Sequence, residues 1–159
     1  MVHRGIATLA GCQVLCFFLL AHYEPQFFLL HFYQSLVFLT IVLMLFYFED
    51  HWAYMLGILT PAFWLVISFA TGLLGAGVRQ VGQLFTGEGF NNPVSLLAAI
   101  TAILAVLMIT ACAYRWNREF SGLKMLHKVL PVSLALVILY YVILIWWFWK
   151  EMPHAVIEG

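Results

Sequence analysis

Residues 93–114 read PVSLLAAITAILAVLMITACAY and contain no Asp, Glu, Lys or Arg. A helix rises about 1.5 Å per residue, so this run is long enough to cross a hydrocarbon core of about 30 Å. Inside lipid the backbone polar groups must be satisfied within the segment, and a continuous apolar run achieves this as a helix. The run therefore predicts a transmembrane α-helix.

Four further apolar runs have the same character. The five predicted spans cover 6–22, 27–48, 52–77, 93–114 and 129–149, and all seven acidic and all seven basic residues lie between or outside them. The chain is 65% hydrophobic and only 9% charged, whereas soluble domains carry about 25% charged residues. We predict an all-α, polytopic transmembrane helix bundle that forms one membrane-embedded domain over residues 1–159.

The distribution of basic residues predicts the orientation of the bundle. Five of the seven basic residues lie near the N-terminus or in the segment 115–128, and the other two are Arg79 and Lys150. Because basic residues in short loops favour the cytoplasmic side, we expect the N-terminus and a basic loop at 115–128 inside and the C-terminus outside. The protein is predicted to be integral to a membrane and multi-pass, in a bacterial inner membrane or an organelle membrane.

The N-terminus allows a second interpretation. Leu9-Ala10-Gly11-Cys12 resembles the box that precedes a lipidated cysteine. The apolar run continues past Cys12, however, and the stretch before it is too short for a complete signal sequence. An uncleaved first span is the favoured prediction.

The outer connecting segment and the start of the span that follows it have distinctive patterns. The outer segment 78–92 has apolar residues at helical spacing, which predicts a short helix on the membrane surface, although Gly82, Gly87 and Gly89 should bend or break it. Asn92-Pro93 is typical of a helix start, with Asn as the capping residue and Pro in the first turn.

Small residues and a proline mark the predicted third span as the central helix of the bundle. Pro61 can kink a membrane helix, and glycines allow two helices to approach closely. We therefore predict that Gly72 and Gly75 contact another helix, within this chain or across an interface.

One polar face within a span is the candidate ligand site. His31, Gln34 and Ser35 fall at positions i, i+3 and i+4, so they share one face of the second span. We expect this face to point into protein, since unpaired polar groups in hydrocarbon are costly. Any ligand should place its polar end here in the outer half of the bilayer, with Arg79 and the segment 78–92 as its cover.

The candidate face allows several ligands but requires none. It suits a quinone carbonyl, a lipid headgroup, or a single axial haem ligand, and the many aromatic side chains suit a carotenoid. No pair of histidines lies deep in two spans, no compact metal motif is present, and Cys12, Cys16 and Cys112 lie in apolar runs. We predict no cofactor and no metal.

The sequence leaves three functions open. The leading hypothesis is a non-catalytic integral membrane subunit that packs against partner subunits, lipids or pigments in a larger complex. The first alternative is an oligomeric carrier or channel for a small neutral or lipophilic solute, and the second is a quinone- or lipid-linked membrane enzyme that uses His31. The partners are membrane lipid and either other membrane subunits or further copies of the chain. Without a basic stripe, nucleic acid is not expected.

Overall fold

A computed structural model describes residues 2–47, 51–86, 92–120 and 123–148. These residues form six α-helices and one 3-10 turn. In chain order they are α1 (Val2–Tyr23), the turn Pro25–Phe27, α2 (Phe28–Tyr47), α3 (His51–Ala70), α4 (Leu73–Thr86), α5 (Pro93–Glu119) and α6 (Leu123–Phe148). No strand occurs within the described ranges.

Five of these helices, all except α4, are long and apolar enough to span a membrane. The predicted helical bundle of about five spans is thus confirmed. The outer face, as we use the term, is the one that carries the turn 24–27, the start of α5 and the end of α6.

The bundle is built around α1, α3 and α5. α1 and α2 form a tight hairpin, α5 packs against both α1 and α3, and α6 packs mainly against α3. Aromatic residues fill the centre, where the ring of Phe17 lies 5.5 Å from that of Phe38 and 6.0 Å from that of Trp64. All three side chains are buried, which joins α1, α2 and α3 in one core.

The predicted third span, 52–77, is the element that the structure changes most. α3 ends at Ala70, and the chain turns through Thr71 and Gly72, which has a φ of 77°. A new helix, α4, then runs through Thr86 and packs against α5 and α3. The helical segment at the outer face therefore begins at Leu73 rather than at residue 78, and Gly82 lies inside it without ending it.

The predicted basic loop at 115–128 is also largely helical. α5 continues through Glu119 and α6 begins at Leu123, so only a few residues separate them. Arg115 forms an ion pair with Glu119 one turn away, which supports the last turn of α5 beyond the apolar run. Gly87 and Gly89 and the C-terminal tail lie outside the described residues.

The predicted start of α5 is confirmed. The side-chain oxygen of Asn92 accepts hydrogen bonds from the backbone N–H groups of Val94 and Ser95, at 3.0 and 3.3 Å. Pro93 occupies the first turn, where its missing N–H costs nothing.

Candidate functional site

His31 lies in the first turn of α2 and forms a pair with Glu24. Glu24 directly follows α1, and its backbone N–H donates to the carbonyl of Leu20 at 2.8 Å, which continues the helical pattern into the turn. Only the residues 24–27 connect α1 to α2, so the chain reverses at once and His31 returns beside Glu24. The Nε2 atom of His31 lies 3.0 Å from Oε2 of Glu24.

The pair is largely shielded from solvent. The side chain of His31 is 9% exposed and that of Glu24 is 25% exposed. When Nε2–H donates to the carboxylate, Nδ1 of a neutral imidazole is left as an acceptor. Nδ1 is buried and has no hydrogen-bond partner. The site can therefore accept a hydrogen bond from a hydroxyl group, or donate one to a carbonyl oxygen when the imidazole is protonated.

The prediction that the polar face of α2 points into protein is confirmed for His31 and Ser35, which are both buried. The hydroxyl of Ser35 donates to the backbone carbonyl of Phe32 at 2.7 Å, so its hydrogen is committed within its own helix. Gln34 is half-buried. Binding of a ligand by these residues stays a prediction.

Arg79 lies on α4 rather than on the hairpin that carries His31. It is an exposed residue of α4, and α4 packs against α5 and α3, whereas His31 belongs to the hairpin of α1 and α2. No hydrogen bond or ion pair within the described ranges joins Arg79 to His31, Gln34 or Ser35. The turn at Gly72 directs α4 onto α5, and the role of Arg79 as a cover for the site stays a prediction.

The closest helix contacts occur at glycines other than the predicted ones. A Cβ atom added to Gly57 would lie 2.7 Å from Sγ of Cys112, and one added to Gly77 would lie 3.1 Å from the carbonyl oxygen of Ser95. Added to Gly72 or Gly75, it would meet no atom within 4 Å. No such neighbour lies there among the residues that the structure describes, and a contact of Gly72 or Gly75 with another helix stays a prediction.

Pro61 is buried in the middle of α3. Because proline has no N–H, the carbonyl of Gly57 loses its usual partner one turn away. The neighbouring carbonyl of Thr60 accepts a hydrogen bond from the hydroxyl of Tyr141 on α6, at 3.0 Å. Pro61 thus directly follows two contacts of α3, one with α5 at Gly57 and one with α6 at Thr60.

Sequence reasoning missed a buried amide in α1. Gln13 is 0% exposed, and its Nε2 donates to the backbone carbonyl of Thr101 on α5 at 3.2 Å. Its Oε1 is buried without a partner. Gln13 carries no charge, but a glutamine in the centre of an apolar run is itself a signal of a buried polar contact.

A second contact that the sequence did not reveal joins α2 to α6. The rings of Tyr33 and Tyr140 stack with centroids 4.4 Å apart. The hydroxyl of Tyr33 donates to the backbone carbonyl of Tyr140 at 3.3 Å, and the hydroxyl of Tyr140 donates to the backbone carbonyl of Tyr33. Two tyrosines a hundred residues apart carry no pairing signal in one sequence.

Metal-binding residue types do not gather in the described part of the chain. Within it, no three His, Cys, Asp or Glu residues form a group that could hold a metal ion. The three cysteines form no disulfide. Glu151 and His154, near the end of the sequence, lie outside the described residues.

Comparison of the chain with protein-family models, with curated proteins and with solved structures finds no match.

Proposed function

We propose that the chain is a non-catalytic integral membrane subunit of a larger membrane complex, and that α6 is its main contact with a partner subunit. The observation that carries this proposal is the one-sided attachment of α6. Its buried residues form a single stripe at helical spacing: Val129, Ser133, Val137, Tyr141 and Leu144. The stripe packs mainly on α3, and the Tyr33–Tyr140 contact adds a link to α2.

Beyond its basic first turns, the rest of α6 is largely apolar, and many of these side chains are exposed. Leu139 is 57% exposed, and Trp146 and Trp147 are 76% and 67% exposed. Helix association in membranes depends on van der Waals packing and on hydrogen bonds between helices, and tryptophans at the interface fix the depth of a helix. A long face of this kind suits a partner helix that lies parallel or antiparallel to α6.

Site-specific photocrosslinking in the native membrane tests the proposal. A photoreactive residue at Leu139 on α6 should crosslink one defined protein, and that protein should also co-purify with the full chain at fixed stoichiometry in mild detergent. Leu36 on α2 is exposed at a similar distance from the outer helix end, so the same residue placed there is the control. A lone homo-oligomer of the chain would contradict the proposal and favour the carrier or channel.

A second candidate is supported by the His31–Glu24 pair. A buried imidazole with one unpartnered nitrogen, oriented by a carboxylate, suits the hydroxyl or carbonyl group of a quinone or lipid headgroup. In this alternative the chain is a quinone- or lipid-linked membrane enzyme that uses His31.

Extraction of bound small molecules tests the second candidate. The parent protein should retain a quinone or lipid that His31→Leu loses, with an unchanged helical circular dichroism spectrum. Thr40→Ala is the matched control, because the hydroxyl of Thr40 also donates within α2 and Thr40 lies outside the candidate face. Equal ligand content in the parent and His31→Leu would remove this candidate.

A further inference from the structure

An apolar groove of about 400 Å³ opens between α3, α4 and α5. Six apolar residues line it: Leu65, Leu74, Ala102, Ile103, Val106 and Leu107. Its floor faces outward from the bundle, since Ile103 is 60% exposed and Val106 is 50% exposed. In a membrane, the groove is therefore open to the surrounding lipid.

The break between α3 and α4 accounts for the groove. α3 approaches α5 closely at Gly57, and α4 approaches α5 closely at Gly77. Between these two contacts the chain turns at Thr71 and Gly72, so α3 ends before α4 makes its contact with α5. The gap between the two contacts is left without a side chain to fill it.

The groove lies near the middle of the bilayer. Counted from Pro93 at about 1.5 Å per residue, Ala102 is about 13 Å and Leu107 about 21 Å below the outer end of α5. Half of a hydrocarbon core is about 15 Å thick. This depth is where the acyl chains of outer-leaflet lipids end.

α4 extends the groove towards the outer membrane surface. Leu74, Val78 and Phe85 fall on one face of α4, and Val78 and Phe85 are 71% and 89% exposed. Arg79 is exposed beside this apolar face, and it forms no ion pair within the ranges that the structure describes. One helix thus carries both an apolar path and a cation, as an anionic lipid requires.

We propose that the groove binds one acyl chain of an anionic glycerophospholipid of the outer leaflet, and that Arg79 binds the phosphate of the same lipid. The depth of the groove matches the end of an acyl chain, and Arg79 on α4 offers a positive charge to the headgroup. The charge of Arg79 selects an anionic headgroup over a zwitterionic one. This site is independent of the proposed contact on α6.

Native mass spectrometry of the full chain, released from detergent micelles with added phosphatidylglycerol or phosphatidylcholine, tests the proposal. The parent should retain one phosphatidylglycerol in preference to phosphatidylcholine. Arg79→Gln should reduce this occupancy about fivefold, the effect of one basic residue at an anionic membrane surface. Val106→Phe should displace the lipid by filling the groove, with Arg79 unchanged.

Two control variants separate this site from the ordinary lipid shell. Arg118→Gln removes an exposed cation at the inner end of α5, and Leu139→Phe enlarges an exposed residue on α6. Both should retain phosphatidylglycerol like the parent. The proposal is overturned if Arg79→Gln or Val106→Phe retains the lipid as the controls do, or if the parent binds both lipids equally.

Discussion

Gly57 marks the closest approach of α3 to α5, because any side chain there would meet Cys112. Gly57→Ala should destabilise the bundle by about 1–3 kcal/mol, the range for overpacking a filled core. The added Cβ would lie 2.7 Å from Sγ of Cys112 and 3.3 Å from Cε of Met108. Adding Cys112→Ala should restore much of the loss, since it removes the nearer atom.

Thermal unfolding in detergent measures this effect, and Gly75→Ala is the matched control. A Cβ at Gly75 meets nothing within 4 Å, so that variant should unfold at or above the temperature of the parent. Equal unfolding temperatures for Gly57→Ala and the parent would show that α5 shifts at Cys112 without a loss of stability.

Gly72 is needed for its backbone conformation rather than for close packing. Its φ of 77° lies in the left-handed region, where a side chain costs about 1–2 kcal/mol. Gly72→Ala and Gly72→Leu should therefore lower the unfolding temperature by similar amounts, because no atom lies near an added Cβ. Gly72→Asn should be milder, since asparagine tolerates this region. A much larger loss for leucine than for alanine would instead indicate a close neighbour, such as a second copy.

Single residues differ in how much of their environment the sequence reveals. The cap at Asn92 and the burial of His31 were predictable, because capping depends on adjacent residues and a polar group in lipid must face protein. The pairing of His31 with Glu24 was also accessible, since a turn of four residues brings the first turn of α2 back to the end of α1. The contact of Gln13 with Thr101 could not be predicted, because the two residues are far apart in the sequence and only the packing of α1 on α5 joins them.

At the level of elements, hydropathy predicted which segments are apolar but not where each helix ends. The run 52–77 is apolar across Thr71 and Gly72, so its hydropathy gives no sign of the break between α3 and α4. The charged segment 115–128 presents the opposite case. A helix can continue from lipid into water, and its backbone bonds are kept on both sides, so α5 and α6 extend beyond their apolar runs.

The packing of α4 against α5 depends on Gly77. Gly77→Leu should lift α4 from α5, because a Cβ there already lies 3.1 Å from the carbonyl oxygen of Ser95 and 3.3 Å from the Cβ of Ala99. Gln80 is 4% exposed. A cysteine placed at Gln80 should therefore react with a polar maleimide severalfold faster when Gly77→Leu is also present.

The control for this experiment is Gly82→Leu in the same Gln80→Cys background. A Cβ at Gly82 meets nothing within 4 Å, so leucine there should leave the labelling rate unchanged. Equal labelling in both leucine variants would mean that α4 does not depend on the contact at Gly77.

For the whole molecule, composition alone predicted the fold class, whereas the arrangement of the helices required the structure. A chain with 9% charged residues grouped between apolar runs has few alternatives to a membrane bundle. Which helices touch is decided by side-chain shape: Phe17 meets Phe38 and Trp64, and Gly57 admits Cys112. The peripheral position of α6 follows from such contacts, and no periodicity in its own sequence predicts it.

The orientation of the whole bundle is the last prediction. If the five apolar helices each cross the membrane, the start of α1 and the end of α6 lie on opposite faces. The inner end of α5 and the start of α6 carry Arg115, Arg118, Lys124 and Lys128, and Arg4 lies at the same face. Because basic residues near span ends are retained on the cytoplasmic side, this face should be inside.

In intact cells an impermeant maleimide should label a cysteine placed at Gln26, in the turn between α1 and α2, but not one placed at Asn117 near the inner end of α5. Both positions are exposed, so permeabilised cells should show labelling at each. Labelling of Asn117→Cys alone in intact cells would invert the topology, and it would also assign Arg79 and the groove beside α4 to the cytoplasmic leaflet.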